Sequence, residues 1–567
     1  MTKSDTIAKS LLGAFIVLIL LLALKTWAQI TPQASGSSGP SFTGWMLSKP
    51  EWSPGDETNY QKYVAYVGEG VARGLCNTVS NCFRNPKVNP YADSDPGGLK
   101  LYSDCADFPY FVRGYYAWRF QLPFGFITEV AAIESPDGSR DIRYSPYGNV
   151  VTKRYDVIPT KNGTSVNYPN ALQILNNVIQ GKITSANFRV SYSGMDNDAM
   201  FSDFYPARVN REAIRPGTVI YDPNGHVVTV YKVTKDGRVY YIDAHPDNSL
   251  TTGLYNTRFI RSYPGQGAGF KNWRPIKLVG GEYSSTQGYF GGHLVAAKDN
   301  ELPLFSTEQY FGTNRNPDWK AATYTFNGQV MKFHDWVRNR LADGALVENP
   351  IDDVRVMAQE LCNGLEERAD AVQVAITAGI HNQAHPLTLP KNIYGADGDW
   401  ETYATPARDA RMRVAFKELR DYVEAALQHN RKQDGVVDYK GKSLAADMAA
   451  AYKERSNACK INYKNSAGRT VTLSLEDARA RLYAISFDPY HCPELRWGAS
   501  GQELASCQDD GNKRQWYDAE KWLRFQHERN TDAFMGFSLQ ELNGPKPGAG
   551  VEAGQDLDIL AFLSKNQ

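Results

Sequence analysis

The chain has 567 residues, of which 42% are hydrophobic, so it is long enough to bury two or three separate cores. Lys plus Arg and Asp plus Glu both number 62, which gives a formal net charge of +0. This balance argues against nucleic acid or an anionic membrane surface as a partner.

The first 28 residues are predicted to be a signal peptide. Lys3 and Lys9 precede an uncharged apolar run over residues 11–24, and Ala28 offers a small residue for cleavage. The run is shorter than the ~20 residues that a helix needs to cross a bilayer, so an uncleaved anchor is the weaker alternative. We therefore expect an exported chain, periplasmic or secreted, which touches a membrane only through this segment if at all.

Export predicts that the cysteines form disulfides. The chain has seven, so three bridges would leave one thiol free, although six cysteines allow 15 pairings. The expected pairs, two local and one long, are Cys76 with Cys82, Cys492 with Cys507, and Cys362 with Cys459. Cys105 is expected to stay unpaired.

The pattern along the remaining chain suggests three parts. Residues 29–84 are expected to form a leader and N-terminal segment. Residues 85–300 are expected to form a domain with an insertion at about 127–215, which contains turns and a helix near 171–181. Residues 301–567 are expected to be mainly helical. The helical patterns there cover residues 330–341, 351–380, 407–427, 443–458, 475–485 and 517–528.

A buried amphipathic helix is predicted to begin at Cys105. Apolar residues recur over residues 105–120 mostly at steps of three and four, and Ser103 or Asp104 is placed to cap the first turn. Pro109 lies near the start, where it removes one backbone donor.

Two antiparallel strands are predicted further along the chain. Residues 217–233 and 238–244 are rich in Val, Ile and Tyr, and the Asp236-Gly237 pair between them suits a hairpin turn. The first strand carries His226 and the second ends at Asp243. Because neighbouring strands bring Cβ atoms ~5 Å apart, we expect these two side chains to meet.

These residues form a predicted catalytic triad. A thiol attacks a carbonyl as thiolate, and a helix N-terminus together with an imidazolium would lower its pKa from ~8.5. Cys105 is the expected nucleophile, His226 the proton acceptor and Asp243 the residue that orients the imidazole. His245 or Asp247 could replace Asp243. A structural role for Cys105 and for His226 is the alternative.

An oxyanion hole is also expected, and its first donor would be the Cys105 amide. Tyr102 or Ser103 could supply the second donor, and packing or capping is the competing role for both.

Three stretches resemble known families. The sequences SDCADF at 103–108 and RFQLP at 119–123 resemble the nucleophile helix of bacterial transglutaminase-like enzymes. The sequences GHVVTV at 225–230 and YYIDA at 240–244 are similar to the histidine and aspartate strands of that family. The sequence RPGTV at 215–219 resembles the histidine region of NlpC/P60 and CHAP peptidoglycan hydrolases. Both resemblances imply a papain-like fold.

The expected fold is therefore α+β, with a nucleophile helix packed on an antiparallel sheet and followed by a mainly helical domain. The expected function is cysteine-dependent hydrolysis or acyl transfer at amides of peptides, proteins or peptidoglycan. The alternative is an inactive envelope protein for binding or structure. No cofactor is implied. His381 and His385 lie four residues apart, but no Glu completes a zinc-protease motif and Pro386 follows, so no metal site is predicted.

Overall fold

The computed structural model describes residues 43–134, 142–143, 145, 147–194, 200–223, 225–246, 248–261, 263–394, 398–527, 535–545 and 553–567. The predicted signal peptide and the first part of the leader lie outside these residues. The protein is 40% helix and 20% strand, which confirms the α+β class. None of the described helices is both long enough and apolar enough to cross a membrane.

An antiparallel sheet of six strands organises the first part of the chain. Its strand order is β5, β10, β6, β7, β8, β9, and the sequence-adjacent strands β6 to β9 pair in succession. The strands are β1 Gly125–Ala132, β2 Asn149–Asp156, β3 Thr160–Asn162, β4 Ser165–Asn167, β5 Phe204–Pro206, β6 Val219–Asp222, β7 His226–Val233, β8 Val239–Ala244, β9 Leu250–Leu254, β10 Gly269–Trp273, β11 Ile276–Val279, β12 Glu282–Ser284, β13 Gly288–Phe290, β14 His293–Ala296, β15 Tyr324–Phe326, β16 Gln329–Met331, β17 Lys460–Lys464 and β18 Thr470–Ser474.

Helices cover both faces of this sheet and predominate beyond residue 345. They are α1 Pro54–Ala72, α2 Val79–Phe83, α3 Asp107–Arg119, α4 Ala171–Gln173, α5 Ile179–Lys182, α6 Glu308–Phe311, α7 Phe333–Leu341, α8 Pro350–Thr377, α9 Gly398–Tyr403, α10 Pro406–Lys432, α11 Leu444–Ala458, α12 Leu475–Ala480, α13 Pro493–Arg496, α14 Gly511–Ala519, α15 Lys521–Arg524, α16 Leu539–Asn543 and α17 Ile559–Ser564. A π-helical turn, Ile174–Val178, joins α4 to α5.

The two faces of the sheet belong to different cores because side chains alternate along each strand. Val227 and Ile242 pack with α1 and α3 in an aromatic-rich core. Val228 and Tyr241 pack on the other face, together with α7. We call the described residues up to 345 the sheet half, because α7 packs on the sheet, and those beyond 345 the helical half.

The segment predicted as an insertion has more regular structure than its sequence suggests. Strands β1 and β2 form an antiparallel ribbon, and β5 joins the central sheet beside β10. The sequence analysis missed these strands. At three residues β5 is too short for a period-2 pattern, and the outer part of the ribbon is exposed and polar.

The turn between β7 and β8 matches its prediction, but residues 217–233, predicted as one strand, form two antiparallel strands, β6 and β7, which pair with each other. Gly237 has a φ of 78°, and a Cβ at this position would lie 2.1 Å from the Arg338 carbonyl oxygen. Only glycine combines this backbone conformation with so close an approach. The turn therefore determines how β7 and β8 pair.

The three expected disulfides are confirmed. Cys76 pairs with Cys82, Cys362 with Cys459, and Cys492 with Cys507. Cys105 is the free cysteine.

Candidate active site

Cys105 lies in the turn that leads into α3. The helix begins at Asp107, two residues later than predicted. Asp104 closes the turn, because its Oδ1 accepts hydrogen bonds from the amides of Ala106 at 2.8 Å and Asp107 at 3.1 Å. Asp104 is thus the residue that caps this end of the helix, and the half-buried Cys105 is held next to it.

His226 and Asp243 lie together, as the strand spacing predicted. Strands β7 and β8 pair antiparallel with Thr229 opposite Ile242, which brings the start of β7 beside the end of β8. His226 Nε2 lies 2.9 Å from Asp243 Oδ2. Their side chains are 15% and 8% exposed, so the pair is shielded but remains accessible at the imidazole. Since Nε2 is bonded to the carboxylate, Nδ1 is the nitrogen left for a thiol.

The Cys105 sulfur contacts the backbone on both sides of His226. Its thiol donates to the carbonyl oxygen of Gly225, with Sγ and O 3.9 Å apart, and the Val227 amide donates to Sγ. The structure therefore brings the sulfur to the backbone next to His226. Among the described residues, the acceptor of the thiol is this carbonyl and not an imidazole nitrogen.

The electrostatic surroundings of the thiol differ from the prediction. Burial raises the pKa of Cys105 well above its ordinary value, and the carboxylates of Asp104, Asp243 and Asp107 raise it further. The helix N-terminus does not offset this, because Asp104 already occupies its first amides. The expected lowering of the thiol pKa is thus wrong for this state, and the sulfur is a neutral thiol at pH 7.

The other candidates for the third member have different contacts. His245 Nε2 lies 3.1 Å from Thr251 Oγ1 and 3.7 Å from Asp243 Oδ2, so it borders the pair without replacing Asp243. Asp247 lies outside the described residues. Burial would raise the pKa of Asp243, but the charges of His226 and His245 hold it far below its usual range. Asp243 is therefore an anion at neutral pH.

The two candidates for the second oxyanion donor have other contacts as well. The hydroxyl of Tyr102 donates to the Pro246 carbonyl, and its side chain is 42% exposed. Ser103 is fully buried, and its hydroxyl lies beside the Asp107 carboxyl. Both contacts fit structural roles at the start of α3.

The helical half supplies charged residues near Asp243 that the sequence analysis missed. Glu367 on α8 and Arg411 on α10 both lie close enough to interact with the Asp243 carboxylate. Burial and the negative charge of Asp243 raise the pKa of Glu367 to about 7. No local motif signals such residues, because they lie more than 100 positions from the strands that they face.

The edge strand of the sheet is also covered by the helical half. Glu360 on α8 accepts hydrogen bonds from the Leu254 amide at 3.1 Å and from Arg258 at 3.3 Å. A carboxylate on this edge satisfies a backbone donor that would otherwise be open to another strand. The contact fixes α8 near the end of β9, one strand away from Asp243.

A cavity of about 500 Å³ lies elsewhere on the sheet half. Its lining includes Trp52, Glu57, Tyr60, Arg215 and Trp273, and none of the three triad residues. A substrate must lie close to the Cys105 sulfur in order to react, so this cavity does not define the candidate site.

Comparisons with family models, with curated proteins and with solved structures find no match to this chain.

Proposed function

We propose that the protein is an exported cysteine hydrolase of papain-like type, which cleaves an amide bond in a cell-wall peptide or protein. The hydrogen bond of 2.9 Å between His226 and Asp243, next to the only cysteine without a disulfide partner, carries this proposal. A buried carboxylate that holds one imidazole nitrogen leaves the other for proton transfer. The similarity of residues 103–108 and 225–230 to transglutaminase-like enzymes supports the same chemistry.

The reaction begins from a neutral thiol. Cys105 Sγ must leave the Gly225 carbonyl and give its proton to His226 Nδ1 while it attacks the substrate carbonyl. His226 then returns the proton to the leaving amine as the C–N bond breaks, and a thioester remains on Cys105. Water, deprotonated by His226, attacks the thioester carbonyl, and as the C–S bond breaks the imidazolium returns this proton to the Cys105 sulfur and the acid is released. Asp243 stays ionised and stabilises the imidazolium.

The cysteines support the proposed compartment. Disulfides form and persist mainly where the surroundings are oxidising, and three of them fit a periplasmic or secreted protein. The predicted signal peptide supports the same location.

The test is digestion of purified peptidoglycan by the purified chain, with products identified by mass spectrometry. We expect new amine and acid ends with the wild type and none with Cys105→Ala. A matched control is His429→Gln, because His429 forms a surface pair with Asp434 at 2.7 Å and should not affect activity. Adding a primary amine distinguishes hydrolysis from transamidation. Equal product from Cys105→Ala would refute the proposal.

A second candidate is an envelope binding protein without activity. The contact of the thiol with the Gly225 carbonyl, and its raised pKa, favour this alternative. It predicts that Cys105 does not react with an alkylating reagent until the protein is denatured.

A further inference from the structure

A cluster of histidines and carboxylates is buried in the helical half, far from Cys105 in sequence and outside the proposed active site. His385 follows α8, Asp488 and His491 lie before α13, and Glu520 lies between α14 and α15. The side chains of all four are 0% exposed. A ring nitrogen of His385, a carboxylate oxygen of Asp488 and one of Glu520 all lie within 4.8 Å of one another.

Each imidazole is oriented by a contact at Nδ1. His385 Nδ1 lies 2.7 Å from the Pro386 carbonyl oxygen, and His491 Nδ1 lies 3.0 Å from Asp509 Oδ2. An acceptor at Nδ1 places the proton there in a neutral imidazole, so the lone pair sits on Nε2. In the neutral form, which a metal ion binds, the Nε2 atoms of both rings therefore present lone pairs to the centre of the cluster. Metal-binding histidines are oriented in this way.

Those lone pairs face carboxylate oxygens. His385 Nε2 lies 2.8 Å from Asp488 Oδ2. His491 Nε2 lies 3.4 Å from the same oxygen and 3.8 Å from Glu520 Oε2, both beyond good hydrogen-bond distance. Nitrogen and oxygen atoms that converge at these distances repel one another unless a proton or a metal ion lies between them.

The Glu520 carboxylate provides independent evidence that a binding partner is missing. Both of its carboxylate oxygens are buried and have no hydrogen-bond partner among the described residues, and the same holds for His491 Nε2. A carboxylate without a partner is costly to bury. The charge of the neighbouring Arg496 acts on Glu520, but the guanidinium donates its hydrogen bonds to the Ser486 carbonyl and to Thr405.

We propose that His385, Asp488, His491 and Glu520 bind a divalent transition-metal ion, with Zn²⁺ as the best-matched ion, at a structural site of the helical half. Imidazole and carboxylate ligands suit Zn²⁺, whose bonds of ~2.0–2.2 Å place tetrahedral ligand atoms about 3.3 Å apart. The measured separations of 2.8, 3.4 and 3.8 Å lie on both sides of that value. The ion connects the segment that follows α8 to the segment before α13 and to the junction of α14 and α15.

The sequence does not reveal this site, because its residues are not spaced as in a local motif. The interval from His385 to Asp488 is 103 residues, and His385 was paired with His381 only by the helical step of four. Cys492 and Cys507 also lie near carboxylates, but they form a disulfide and are not free to bind.

The test uses the full chain with its disulfides intact. After unfolding in chelator and refolding with or without Zn²⁺, we expect one ion retained per chain and a higher Tm with Zn²⁺. No retained ion, together with a Tm that ignores both Zn²⁺ and chelator, would overturn the proposal. That result would identify the cluster as an ion network of protonated histidines.

Two further measurements locate the ion. Asp509→Asn, which removes the carboxylate charge behind His491 but keeps an oxygen for the Cys492 amide, should weaken Zn²⁺ affinity about 10- to 100-fold, whereas His429→Gln should not change it. Unchanged affinity in Asp509→Asn would contradict the site. Co²⁺ added to the wild type should give the visible bands of a tetrahedral site with nitrogen and oxygen ligands. Thiolate charge-transfer bands would assign the ion to cysteine instead and would also overturn the proposal.

Discussion

The sheet half and the helical half both contain a histidine that meets a carboxylate, but in opposite surroundings. In the sheet half the His226 imidazole, 15% exposed, contacts the Asp243 carboxylate and keeps a nitrogen for chemistry, while His245 lies 3.7 Å from the same carboxylate. In the helical half two imidazoles with no exposed surface face several carboxylates. Both sites use the same residue types, so the comparison teaches that exposure is what separates the proposed proton-transfer site from the proposed ion-binding site.

The disulfides extend this comparison to stability. Removing the Cys362–Cys459 bridge, which spans 97 residues, should lower the free energy of unfolding by about 4.7 kcal/mol. Removing the Cys76–Cys82 bridge, which spans 6 residues, should cost about 2 kcal/mol, because a short loop loses little entropy. Urea unfolding of the two double Cys→Ala variants measures both. Equal losses would show that the long bridge has no special role in the helical half.

The orienting role of Asp243 can be separated from its charge. Asp243→Asn weakens a hydrogen bond to a charged imidazole, worth about 1.5–3 kcal/mol, so kcat/KM should fall about 10- to 100-fold. The surface analogue Asp434→Asn is the control and should have no effect. A loss of activity in both variants would indicate a general effect of altered charge.

The pH dependence gives a further check on Asp243. Because its folded pKa is lowered, the stabilisation that it contributes is present above the unfolded pKa of ~3.9 and is lost only as the pH falls through the lower folded pKa. The rate of the wild-type reaction should therefore not fall above pH ~4 because of protonation of this carboxylate. A fall in rate above that pH that disappears in Asp243→Asn would contradict this assignment.

The smallest expected effect concerns the charge beside the thiol. Asp104→Asn keeps an oxygen that can accept from the Ala106 and Asp107 amides but removes a negative charge that raises the pKa of Cys105. Alkylation at pH 8 should become about 2- to 10-fold faster, a pKa change of at most about one unit. In the wild type the rate should still be rising past pH 9. A slower variant would show that Asp104 helps the thiol to ionise.

Local patterns predicted much of the fold and of the site. The Asp-Gly pair predicted the turn between β7 and β8, and the separation of 17 residues along the chain between His226 and Asp243 matched a hairpin. The long helices also followed from their apolar periodicity. Features that depend on one stretch of chain, or on two stretches joined by a tight turn, are readable in this way.

Features that depend on tertiary packing were not readable. Glu367 reaches Asp243 only because α8 packs along the edge strand of the sheet. The pKa of Cys105 depends on burial and on Asp104, which the sequence suggested only as a cap. The buried cluster joins residues that are more than 100 positions apart. Such contacts have no spacing rule, so only the folded structure displays them.

The most direct measurement is the alkylation rate of Cys105 in the native protein. Because the other six cysteines form disulfides, a small reagent such as iodoacetamide should modify one thiol, located by mass spectrometry. Modification should proceed without denaturant and should be at least ~10-fold slower in His226→Ala than in His429→Gln. A thiol that reacts only after unfolding, or a rate that ignores His226, would contradict a catalytic partnership between the two residues.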